Sequence, residues 1–148
     1  MGFAKFARQL PARLAAGAFI LDAGLGKWGA DEQGAAGPHG MAAGTFPFLS
    51  KIPARDFSRL LSATEITVGT ALLLPAVPAG VAGVALTAFS GGLVATYLKT
   101  EGFTRDGIRP TPAGVPFAKD IWLLGIGLGL IIDELTERAC ARPARTTK

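Results

Sequence analysis

One cysteine and one histidine stand in the whole 148-residue chain. Cys140 alone cannot form an internal disulfide, a CxxC pair or a thiolate cage, and His39 alone cannot supply bis-histidine haem ligation. The sequence therefore predicts no protein-held metal, haem or dithiol centre. Charge is scarce as well. Asp, Glu, Lys and Arg make up 18% of the residues, against about 25% in an ordinary soluble domain. Alternation of polar and apolar residues is missing, which disfavours strands. No internal repeat stands out.

What the chain does contain is apolar sequence in long pieces. Hydrophobic residues make up 49% of it, and mean hydropathy is +0.38. The charges gather in short stretches, with four apolar segments between them: about 10–28, 60–77, 81–98 and 115–135. At 1.5 Å per residue, about 18–21 helical residues cross a hydrocarbon core of about 30 Å. Backbone in lipid must satisfy its own hydrogen bonds, so such segments are helices. The expected fold is all-α, an integral membrane four-helix bundle over residues 1–135, followed by a basic, disordered tail at 136–148. Arg13 and Asp22 interrupt the first apolar run and no small-residue cleavage site follows it, so this run is read as a span and not a signal peptide.

The connections differ. Pro75-Ala-Val-Pro78-Ala-Gly80 predicts a tight hairpin between the second and third spans. The connection from Gly29 to Arg59 is long and Gly-rich at its start, with an apolar patch at Phe46-Pro47-Phe48-Leu49 expected at the interface. Pro53 is placed to open the helix entering the second span. In the third connection Thr111 and Pro112 read as an N-cap and first helical residue. Because Pro75 and Pro78 fall in a turn, no discontinuous span is expected.

The net charge of +4 (pI about 9.6) comes from basic residues that flank the apolar segments. That placement suits lipid headgroups; nucleic-acid binding would need them on one polar face. Four spans put both termini on one side. Seven basic residues fall on that side and eight on the other, so their count does not orient the bundle. The basic, acid-free leader favours cytoplasmic termini.

Ionisable residues inside the spans are the informative feature. Asp22 lies six residues before Trp28, and Glu65 six residues after Arg59, each about 9 Å inside the same rim. Asp120 lies about 8 Å into the fourth span beside Lys119, and Lys27 and Lys99 mark the rim. A charge in lipid costs at least about 2.5–3.5 kcal/mol, so these groups are expected to turn inward and pair. The reading is an intramembrane polar cluster of Asp22, Lys27, Glu65, Lys99, Lys119 and Asp120, with Glu65–Lys119 as the preferred pair. Such a cluster either holds helices in register, binds a small molecule or quinone headgroup, or serves as a proton-accepting site. For Lys27 and Lys99 snorkelling to the rim is the simpler alternative. Trp28 and Tyr97 read as interfacial belt residues, and Trp122 as packed inside. At the other end Arg13 and Asp133 either pair or snorkel. Gly125 and Gly129, in GxxxG spacing, and Gly80, Gly83, Gly91 and Gly92 are expected to let helices approach closely, within the bundle or between copies.

Three stretches together resemble the DoxX family of small four-span bacterial membrane proteins: Arg13…Gly17-Ala-Phe19…Ala23-Gly24-Leu-Gly-Lys27, Ala63-Thr-Glu65-Ile66…Gly69, and Tyr97-Leu-Lys99…Arg109-Pro110-Thr111…Ala118-Lys119-Asp120-Ile-Trp122. The likeness runs from about Arg13 to Leu135. Family members resemble the membrane subunit of thiosulfate:quinone oxidoreductase. The resemblance implies a multi-pass protein of the bacterial inner membrane, an accessory or quinone-interacting subunit associated with redox-enzyme subunits. It carries no catalytic residue over, and whether the chain is an enzyme stays open. A small transporter and a purely structural membrane partner are the alternatives.

Overall fold

The computed structural model describes residues 3–141, with side chains from residue 7 onward. The chain forms helices α1 (Phe3–Lys27) and α2 (Glu32–Thr45), a 3-10 turn (Pro47–Lys51), and helices α3 (Ala54–Leu73) and α4 (Ala79–Lys99). A short hairpin of β1 (Thr104–Arg105) and β2 (Arg109–Pro110) follows, then α5 (Val115–Ala118) and α6 (Asp120–Cys140). The all-α class is as expected.

Local chemistry sets the breaks. Asp31 caps α2 by accepting the Gly34 N–H at 2.9 Å. Pro53 and Pro78, both at φ −56° and ψ 141°, hold the chain extended just before α3 and α4. Leu74, ahead of Pro75, leaves the helical region and ends α3. In the three-residue loop of the hairpin, between the paired Arg105 and Arg109, Asp106 and Gly107 take positive φ, 51° and 89°.

Several connections carry more structure than expected. The Gly-rich first connection is largely helical. Thr111 accepts the Gly114 N–H, but the chain turns through Pro112 and Ala113, and α5 starts only at Val115. The fourth apolar segment breaks at Lys119, between α5 and α6. Its helix continues through Cys140, past the expected end at Leu135; residues 142–148 of the basic tail lie outside the described residues.

The long helices pack as two pairs, α1 with α3 and α4 with α6, while α1 and α6 meet sparsely. Glycine makes both pairs tight. A Cβ on Gly69 would lie 2.7 Å from the Leu21 nitrogen and 2.9 Å from the Gly17 oxygen; one on Gly83 would lie 2.8 Å from the Gly127 oxygen. Gly80 meets the Glu134 side chain, whereas Gly91, Gly92, Gly125 and Gly129 face open space. The GxxxG pair is thus on the wrong face of α6, and the intervening Gly127 makes the contact. Between the pairs lies a core with Ile20, Val68, Leu72, Leu86, Leu123 and Leu130.

Among the described residues two helices are long and apolar enough to cross a membrane: α4, and Val115–Cys140 taken as one. Only 28% and 17% of their most apolar stretches are buried, whereas a soluble core helix is mostly buried. Helices α1 and α3 are long, 25 and 20 residues. Their charged residues keep them below that apolarity.

Candidate functional site

At the end where α1 finishes and α3 begins, the two pairs part around a cavity of about 350 Å³. Phe19, Phe57, Phe89 and Phe117 contribute to an otherwise apolar wall, and Pro38 and Met41 of α2 reach it from the first connection. Lys27, Glu65, Lys119 and Asp120 bring the charge; Thr96 also lines the wall, its hydroxyl donating to the Gly92 carbonyl at 3.0 Å.

Each charged group is held by its own helix pair. Gly24 lets α1 lie against Glu65 and Ile66, where a Cβ would come within 2.9 Å. The buried Ser62 hydroxyl donates to the Gly24 carbonyl at 2.6 Å. That contact sets the register in which the Lys27 ammonium donates to both Glu65 oxygens, at 2.9 and 3.1 Å, and to the Ala23 carbonyl at 3.2 Å. Glu65 is buried and the Lys27 side chain is partly exposed. The expected partner of Glu65 was Lys119. Lys27 takes that place, because it lies on the helix that Gly24 brings into contact.

Lys119, at the helix break, sets its ammonium 4.7 Å from the centre of the Phe19 ring. Asp120 opens α6, is buried, and lies within electrostatic reach of Lys119, Glu65 and Lys27. With all four groups ionised the cluster carries two positive and two negative charges. The hairpin braces this corner: the Phe103 and Phe117 rings stack at 4.6 Å, and the Thr111 N–H donates to the Phe103 carbonyl at 2.9 Å.

Of the six residues expected in the cluster, these four come together. Asp22 and Lys99 do not: both are exposed and neither lines the cavity. Depth along a helix placed them correctly, but their angular position turns them outward. Trp28, expected at the interface, is 58% exposed. Trp122 was expected inside and is 75% exposed, while Tyr97 was expected at the interface and is fully buried. The Tyr97 hydroxyl donates to the Ile108 carbonyl at 2.8 Å and so ties α4 to the hairpin.

At the opposite end Arg13 does something its sequence position did not suggest. It is 1% exposed, and its guanidinium donates to the carbonyls of Leu72 (2.7 Å), Leu74 (2.9 Å), Val77 (3.0 Å) and Ala71 (3.1 Å). The last carbonyls of a helix have no partner within it, and one cation from α1 satisfies two of them in α3, at Ala71 and Leu72, and two more in the turn, at Leu74 and Val77. Asp133 accepts from Gln9 and from Arg8, at 2.7 Å for Arg8, which sets the start of α1 beside the end of α6.

No protein-family model, curated protein or solved structure matches this chain.

Proposed function

We propose that the chain is a DoxX-like, four-span protein of the bacterial inner membrane. Its cavity holds the headgroup of a membrane quinone on behalf of a redox complex. One observation carries the reading: a cavity with aromatic walls has its charged residues gathered together and drawn from both helix pairs. Its volume, about 350 Å³, lies within the range of about 300–1,000 Å³ usual for small-molecule sites.

Membrane placement of all four long helices is supported by what faces outward. Leu14, Phe19 and Leu25 on α1 and Leu60 on α3 are each about half exposed or more, as are Val81, Val84, Trp122, Leu128 and Ile132 on α4 and α6. Meanwhile Arg13 on α1 and Glu65 on α3 are buried and hydrogen-bonded, whereas Asp22 on α1 is exposed. Burying Arg13 and Glu65 while hydrocarbon faces outward is what a bilayer favours.

A quinone presents two carbonyl oxygens on a flat ring and, when bound, accepts two electrons and two protons. The Lys119 ammonium, which sits over the Phe19 ring, is the donor for such an oxygen. The buried Asp120 carboxyl is the group that can exchange a proton there. Phe19, Phe57, Phe89 and Phe117 offer faces to the ring and keep water out. Electrons come from a partner subunit. Purified protein in nanodiscs is expected to bind a one-isoprene benzoquinone, and Lys119→Met with Asp120→Asn to abolish that binding without lowering the unfolding midpoint. Absence of binding by the parent protein would remove the reading.

A second reading, a small transporter, is favoured by the helix break at Lys119 beside the cavity, since discontinuous helices mark transport sites. Solute flux in proteoliposomes that disappears in Glu65→Gln would establish it in place of the first.

A further inference from the structure

A second cavity, of about 270 Å³, lies where α1 and α6 diverge. It shares Phe19, Lys119, Asp120 and Leu123 with the first, so the two adjoin. Its remaining lining, Ala15, Ala16, Trp122 and Ile126, is apolar. The gap follows from the sequence: α1 presents alanines here, and the glycines that draw helices together pair α1 with α3 and α4 with α6, never α1 with α6. Phe19 and Trp122 flank the opening and are 50% and 75% exposed. The Lys119 ammonium over the Phe19 ring stands at the junction of the two cavities.

We infer that this gap is a side entrance from the bilayer, in which the polyprenyl tail of the ligand lies while its headgroup occupies the charged cavity. This rests on the quinone reading above and adds a ligand class and a route: a membrane-dissolved amphiphile entering between α1 and α6. Polarity carries the argument. Going outward from the charged cavity, the lining passes from Asp120 and Lys119 to alanine, leucine, isoleucine and tryptophan. A water-soluble ligand has no use for such a path. A long hydrocarbon tail does.

Ala15 is exposed on the outer side of the groove, so Ala15→Trp fills it with little disturbance to the core. Equilibrium binding is measured in nanodiscs for a one-isoprene benzoquinone and for its long-chain polyprenyl counterpart. The expected result is that Ala15→Trp weakens the long-chain probe by about tenfold or more and changes the short one less than about twofold. Equal weakening of both, or of neither, overturns the entrance while leaving the headgroup site standing. Failure of the parent protein to bind either probe overturns the site and the entrance together. A measurement on the unaltered chain guards against misfolding of the variant. A polyprenyl quinone with a diazirine at the end of its tail is expected to label α1 and α6 peptides around Ala15 and Ile126. Labelling of α2 around Pro38 and Met41 instead would mean that the tail leaves by the other side.

Discussion

Replacing Gly69 by alanine adds a single methyl group at the tightest point between α1 and α3. That Cβ would lie 2.7 Å from the Leu21 nitrogen, 2.8 Å from the Leu21 Cβ and 2.9 Å from the Gly17 oxygen. Two of the three are backbone atoms, so no side chain can rotate away and the helices themselves must separate. Overpacking of this kind costs about 1–3 kcal/mol. The better helix propensity of alanine returns up to about 1 kcal/mol. The net effect therefore lies between about 0 and 3 kcal/mol of loss, centred on about 1–2 kcal/mol. Gly125→Ala is the matched control, because its added Cβ meets nothing within 4 Å. With no clash to offset it, that variant should be unchanged or up to about 1 kcal/mol more stable. Reversible unfolding in mixed SDS micelles, followed by circular dichroism, measures both. If Gly69→Ala were more stable than the parent, or Gly125→Ala the more damaging of the two, the assignment of packing faces would be wrong.

Two further substitutions test the buried charges by the same unfolding assay. Lys27→Met leaves the buried Glu65 without its 2.9 Å ion pair; it should lose about 3 kcal/mol, and adding Glu65→Gln should restore most of that, whereas independent, additive losses would argue against the pair. Arg13→Gln removes most of four bonds to the α3 terminus and its turn, and at about 1.5–3 kcal/mol for each bond to a charged group the loss should exceed about 4 kcal/mol; a mild effect would mean that the carbonyls find other donors.

The helical class and the Pro75–Gly80 hairpin were legible because length, apolarity and proline act locally. Lys27, Glu65, Lys119 and Asp120 could be grouped from depth alone, since counting residues along a helix gives height. Angle was harder. Asp22 and Glu65 have the same depth, yet only Glu65 faces the cavity, and that depends on which face of α1 its glycines press against α3. Gly17 and Gly24 held this information: seven residues apart, they line one stripe of α1, and Ile20 and Lys27 fall beside that stripe. The GxxxG spacing at Gly125 and Gly129 drew attention away from Gly127, which makes the contact. Arg13 misled for a different reason. An arginine beside an aspartate at similar depth suggests an ion pair, but the unpaired carbonyls of a helix end are acceptors that a residue pattern does not display. The helix in the first connection was hidden by its glycines.

A bundle embedded in the membrane must turn its exposed apolar faces to hydrocarbon, and the two tryptophans allow that to be measured directly. In Trp28→Phe the remaining tryptophan is Trp122, 75% exposed on α6. Reconstituted into vesicles containing lipids brominated along their acyl chains, this variant should show strongly quenched fluorescence and little response to aqueous iodide. Efficient iodide quenching with no effect of bromine would place that face in water and contradict the membrane-embedded bundle together with the site built inside it.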